Sequence, residues 1–142
     1  FHDCAQGCGF VINGNKKLSV LTDTGWINSE SMEAMDKSEF YYLESNHDVE
    51  MLMNGTYPWP TKQRILSTKG HLSNENAAEV LDTLLKKKNE KILLGHLSSD
   101  NNLPDLALKT IKNILSESFK EEDVDYTIDV APRFVPSAVY EI

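Results

Sequence analysis

Four histidines, His2, His47, His71 and His96, and one aspartate, Asp23, stand where short apolar runs give out. LSVLTDTG carries Asp23, FYYLESNH ends on His47, and KILLGHLS reaches His96; KGHLS surrounds His71 and FHD surrounds His2. Imidazoles and carboxylates bind divalent cations and move protons near neutral pH. A strand buried on both faces reads as an apolar run, and functional residues gather where such strands exit into loops. From His47 to His71 to His96 the intervals are about 25 residues, one strand-plus-helix unit each. That is far too long for a local zinc-finger spacing, so a site made of these residues must be tertiary. Each residue also has a plainer reading. Asp23 before Thr24 and Gly25 suits a turn. His47 suits the start of a helix, and Glu44 a surface carboxylate at a strand end. Ser73 and Ser98 suit the capping of the segments they precede. Cys4 and Cys8 with His2 could form a small local metal site, although buried inert thiols are the simpler expectation.

The elements that must position these residues alternate along the chain. GFVI and KLSVLTD read as two strands joined by the turn NGNKK, which carries Gly14. Residues 29–37 read as a short helix capped by Ser29 or Ser31, with Met32 and Met35 on one face. FYYLE is the next strand, and residues 47–54 read as a helix stopped by Gly55. In TYPWPTKQRIL, Pro58 and Pro60 argue against a regular helix. That segment is expected to be a loop that either packs Tyr57 and Trp59 onto the core or offers stacking and cationic groups, Trp59, Lys62 and Arg64, to a substrate. Ser73 caps a helix expected to run to about Lys88, with Ala77, Val80, Leu81, Leu84 and Leu85 as its apolar stripe. KILLG is a strand, and Pro104 opens another helix with Leu108, Ile111, Ile114 and Leu115 on one face. DYTIDVA is a last strand, and the tail with Pro132 and Pro136 is extended. Strands alternating with helices predict an α/β layer architecture in which the ends of the His-bearing strands share one rim.

The 142 residues fit a single domain with a core of its own. No apolar run approaches the ~18 residues of a membrane span, and no signal-peptide pattern is visible. Two closely spaced cysteines do not make a secreted disulfide framework, so a cytoplasmic protein with no membrane partner is expected. The net charge of −8 argues against a broad basic surface for nucleic acid. It leaves a nuclease open, because bound metal ions can supply local positive charge. The chain opens on Phe1, and its first residues already look like part of a site, which predicts a fragment whose upstream portion is missing.

The long stretch LESNHDVEMLMNGTYPWPTKQRILSTKGHLSNENAAE, followed by GHLSSDNNLPDLAL, resembles the metallo-β-lactamase-fold hydrolases, specifically the YycJ/WalJ type of exonuclease. The resemblance extends over nearly the whole chain to about residue 120. It implies that residues 1–142 are the C-terminal part of one αββα four-layer sandwich with two divalent metals, zinc or manganese, at one edge of the sheets. It implies metal ligation by His2, by Asp23 as a bridge between the metals, and by His96. It places His47 and His71 near the site, in phosphate contact, proton transfer or metal support; Asp23, His47 and His71 are thus the expected catalytic residues.

The family's HxHxDH segment is absent from this sequence. The resemblance therefore implies at most half of a dinuclear site, an inactive fragment with poor metal binding, and a missing upstream half of the same domain. An exposed sheet edge or apolar face would then favour a homodimer or strand exchange. The implied activity of the full-length protein is phosphodiester hydrolysis of nucleic acid, a DNA 5′ exonuclease, with Ser73, Ser98, Trp59, Lys62 and Arg64 as candidate substrate contacts. Two other functions stay open: hydrolysis of a small ester or thioester on the same fold, and a non-catalytic structural or interaction domain.

Overall fold

The computed structural model describes residues 8–142, so His2 and Cys4 lie outside the described residues. Five strands form one sheet in the order β1-β2-β3-β4-β5: β1 Phe10–Asn13, β2 Lys17–Leu21, β3 Phe40–Glu44, β4 Glu90–Gly95 and β5 Tyr126–Val130. β1 and β2 make an antiparallel hairpin across the predicted turn, where Gly14 N–H donates to the Lys16 carbonyl at 3.0 Å. β2 to β5 are parallel. Parallel strands need helical crossovers, supplied by α1 Ser29–Met35, α2 Val49–Asn54, α3 Trp59–Ile65, α4 Asn74–Leu84 and α5 Pro104–Glu117.

Side-chain alternation divides the sheet into two faces. Tyr41, Leu43, Ile92, Leu94 and Tyr126 point to one of them and pack with Met35 of α1, Ala77 and Leu81 of α4 and Ile111 and Leu115 of α5. On the other face lie Phe10, Ile12, Leu18, Val20, Phe40, Tyr42 and Leu93. The outer strand leaves Phe10 and Ile12 61% and 59% exposed, whereas Phe40 and Leu93 are buried. The C-terminal tail returns across this second face. The Tyr140 ring meets Phe40 edge-on at 5.5 Å, and its hydroxyl donates to Asp129. A sheet with helices on one face and apolar side chains on the other is one half of an αββα sandwich.

Several boundaries differ from the sequence expectation for identifiable reasons. The TYPWP segment does form a helix. Pro58 is the cap of α3 and Pro60 sits in its first turn, where an amide would have no helical partner to lose. α4 ends at Leu84 rather than near Lys88. Leu85 is extended, Lys87 and Asn89 adopt positive φ, and the buried Glu90 carboxylate accepts the amides of Lys86 and Lys88. α1 is capped by Asn28, which accepts from Ser31 N at 2.7 Å, and it stops before Lys37, whose φ is 61°. α2 is capped by Asp48, leaving His47 outside it. Cys8 is exposed, not a buried thiol.

Candidate metal centre and groove

Parallel strands send their carboxyl ends to the same edge, and there the chain leaves β2, β3 and β4 through Asp23, Glu44 and His96. The loop between α3 and α4 brings His71 to the same place. This needs close backbone contact at Gly70, where a Cβ would lie 2.0 Å from the Ile65 carbonyl oxygen. Gly95 is equally constrained, because the Tyr42 ring covers it and a Cβ would meet the hydroxyl at 2.2 Å. Asp23 and His96 both hold φ at 57°, in the left-handed region. Aspartate and histidine enter that region more readily than most residues, at a cost of roughly 1–3 kcal/mol each.

Glu44 is the centre of the arrangement. Far from being a surface carboxylate, it is fully buried. Its Oε1 accepts from His71 Nδ1 at 2.7 Å and from His96 Nδ1 at 2.6 Å. Its Oε2 accepts the backbone amides of Thr24 at 3.1 Å and Leu72 at 3.2 Å. Burial opposes its charge, but the bonds from His71 and His96 outweigh this and hold its carboxyl at about 2. An ionised carboxylate only accepts, so both imidazoles must carry a proton on Nδ1. Each then presents Nε2 away from Glu44. His96 is raised above its ordinary value, chiefly by the bond to Glu44.

Asp23, Glu44, His71 and His96 each offer one donor atom, and these atoms lie within 4.8 Å of one another. His96 Nε2 is 3.7 Å from Asp23 Oδ1, and the His71 and His96 rings are 5.2 Å apart. The donor set suits a divalent cation. Nitrogen and carboxylate oxygen are zinc and manganese ligands, and a carboxylate behind a ligating histidine fixes its tautomer and orientation. With Glu44 Oε1 engaged by both rings, Asp23 and the Nε2 atoms of His71 and His96 are the groups that could hold an ion.

An open groove of about 790 Å³ runs past His71 and His96. Arg64 and Thr61 of α3, the segment from Ala131 to Arg133, Tyr57 and Ser98 all line it. Ser98 Oγ additionally accepts the amides of Asp100 and Asn101. The other expected contacts lie elsewhere. Ser73 is buried and caps α4 through Asn76 N. Lys62 is buried, and its ammonium donates to the carbonyls of Met53 and Gly55, so it closes the end of α2 instead of serving as a free cation. Trp59 is exposed outside the groove lining. His47 is buried behind the site. Among the described residues neither ring nitrogen has a hydrogen-bond partner, and burial followed by the nearby His71 lowers it to about 4.

Sequence reasoning missed Glu44 as the hub, although it obeys the same rule as the others by ending an apolar strand. It also missed the polar plate that fixes the rim from below. Ser45 Oγ donates to Asn74 Oδ1 at 2.6 Å, Asn74 and Asn102 exchange reciprocal amide bonds, and Asn102 also donates to the Ser45 carbonyl. The asparagines clustered in LSN and SSDNNL were the visible signal.

A mixed sheet with its helical layer, and metal-ligating side chains gathered at its carboxyl edge, belong to the metallo-β-lactamase-like folds. No family model matches the chain. Over 119 residues it is 42% identical to the exodeoxyribonuclease WalJ of Streptococcus pneumoniae, in strains D39 and R6 alike; this is 83% of the chain and 44% of the relative. Over 117 residues it is 40% identical to the exodeoxyribonuclease YycJ of Bacillus anthracis, covering 82% of the chain and 44% of the relative. The chain belongs to the WalJ/YycJ family of metallo-β-lactamase-fold proteins. It spans less than half the length of these relatives. Among the described residues, no helix is long and apolar enough to cross a membrane.

Proposed function

We propose that this chain contributes one side of the active site of a metal-dependent phosphodiesterase, acting on DNA as an exonuclease in a full-length cytoplasmic protein. The observation that carries the reading is the single Glu44 oxygen shared by His71 and His96, with Asp23 across from His96. Two imidazoles held in one tautomer by one buried charge are costly to assemble, and they are useful where Nε2 must meet a cation or a reacting oxygen. In this reading Asp23 and His96 bind zinc or manganese, joined by His2 and by ligands from an upstream segment. When bound, two such ions supply Lewis acidity and an activated water.

The chain's own residues do the rest. Glu44 keeps Nδ1 of both rings protonated. His71, facing the groove, acts as an imidazolium protonated on both nitrogens: it gives its Nε2 proton to the leaving oxygen of the phosphodiester as the P–O bond breaks, and is left as the neutral Nδ1–H tautomer that Glu44 holds. Arg64 and the Ser98 side of the groove receive the strand. A groove bearing arginines favours a phosphodiester over a neutral ester or thioester.

The test is elemental analysis with a hydrolysis assay. Two metals per full-length protein, and almost none on residues 1–142, are expected. Asp23→Ala in the full-length protein should abolish hydrolysis and lower metal content. Undiminished hydrolysis in that variant would remove Asp23 from the site, and stoichiometric metal on residues 1–142 alone would mean that the present side chains complete a site unaided.

A further inference from the structure

The segment after β5 forms a wall of the groove, although no apolar strand in the sequence ends on a chemically active residue there. Ala131 N–H donates to the Leu94 carbonyl, which continues the strand pairing toward the rim, and Pro132 also lines the groove. Arg133 follows. Its guanidinium donates to the carbonyl of Leu97, the residue after His96. A guanidinium has five N–H donors in a planar fork, and this bond uses one nitrogen while the side chain stays exposed. Arg64 lines the same groove. In a chain of net charge −8, two arginines flanking one groove beside a cluster of carboxylates and imidazoles make a local exception to the overall charge.

We propose that Arg133 is a substrate-binding residue, which grips a phosphate of the nucleic-acid strand next to the scissile one in the groove that Arg64 also lines. The bond to Leu97 sets the reach of the guanidinium, and the remaining donors address the phosphate oxygens. Arginine suits this role because its fork matches two oxygens at once. This inference rests on the phosphodiesterase reading and adds to it a specific anchor on the strand.

The experiment measures binding of fluorescent single-stranded DNA to the full-length protein at several salt concentrations, with hydrolysis measured in parallel. Each phosphate contact contributes about 0.7 to the slope of log affinity against log salt for a single strand. Arg133→Ala should lower that slope by roughly this amount and weaken binding about five- to tenfold at low salt. KM should rise while kcat changes little. Arg133→Lys should restore most of the slope, because a point charge still meets the phosphate. A purely structural role for the Leu97 bond would shift the melting temperature and leave the slope alone. That outcome, with wild-type hydrolysis intact, would overturn the Arg133 assignment and leave the phosphodiesterase reading standing. A wild-type full-length protein that neither binds nor cleaves DNA would overturn both.

Discussion

Two glutamates lie at opposite ends of the sheet, Glu44 at the carboxyl end of β3 and Glu90 at the amino end of β4, and both are buried. Among the described residues Glu90 accepts only backbone amides, those of Lys86 at 2.6 Å and Lys88 at 2.8 Å. It ties down a loop in which two residues hold positive φ. Glu44 also accepts two backbone amides, but its other oxygen serves two imidazoles that open onto a groove. Burial of a carboxylate is therefore not what marks the functional edge. A buried charge bonded only to backbone stabilises one chain path. A buried charge bonded to titratable side chains fixes their tautomer and sets how they meet cations and protons.

Substituting each glutamate by glutamine tests that distinction. Glu44→Gln removes the charge and replaces one acceptor oxygen with an amide donor, so it cannot hold both Nδ1–H groups and both amides. Metal affinity of the full-length protein should fall about 10- to 100-fold, read by titration after chelation. Glu90→Gln keeps one acceptor for two amides and leaves an unpaired N–H. It should cost about 1–3 kcal/mol in denaturant-measured stability with metal content unchanged. Equal metal loss in the two variants would erase the contrast between the edges.

The contrast extends to acid. Glu44 sits at about 2 against an ordinary 4.5. A depressed carboxyl stabilises the fold fully above pH 4.5, and that contribution is lost as pH falls through about 2. His47 is depressed to about 4 from 6.5, first by burial. The unfolded imidazole gains its proton before the folded one, so stability begins to fall below pH 6.5 and keeps falling until about pH 4. The expected loss is about 2 kcal/mol between pH 7 and pH 5. His96 works the other way. Its raised value adds stability below pH 6.5, which disappears as pH rises through its folded value. Chemical denaturation of metal-free wild type and His47→Leu isolates the His47 contribution. The difference between them should narrow or reverse toward pH 5, and parallel profiles would show that His47 reaches a partner or solvent in the folded protein.

Much of this layout was legible in the sequence. Apolar runs located β2, β3 and β4, and the rule that active residues follow such strands brought Asp23 and His96 to one rim, which His71 reaches from the loop between α3 and α4. Ser73 and Gly55 marked the start of α4 and the end of α2. Four features were not local enough to read. The burial of Glu44 depends on register, since Glu44 pairs with Gly95 and both histidines close over it. The positive φ of Asp23 and His96 is set by the loops that hold them and has no signature beyond residue types that tolerate it. The α3 segment hides its helix because the same prolines that break a helix interior can open one, and only the position of the cap decides between the two. The role of Lys62 is hidden because a helix end that binds its ammonium cannot be seen until α2 and α3 are packed together.

The same packing separates two aromatic residues of one segment, of which the sequence reading named only Trp59 as a substrate contact. Tyr57 lines the groove, and its hydroxyl donates to Asp100 at 2.7 Å, which holds the ring in place. Trp59, two residues on, opens α3 and is 54% exposed away from the groove lining. Helical geometry explains the split. Thr61, Arg64 and Ile65 are spaced to share the groove face of α3, while Trp59 precedes Thr61 by two positions and projects to another side. A base stacked on an aromatic ring is worth about 1–3 kcal/mol, so only the ring that borders the strand's path should matter. Tyr57→Ala should weaken single-stranded DNA binding by the full-length protein about fivefold, the low end of that range. Trp59→Ala should change it less than about twofold, with metal content constant in both. A larger loss for Trp59→Ala would route the strand over the outer side of α3, away from Arg64, and the groove would no longer be the surface that receives it.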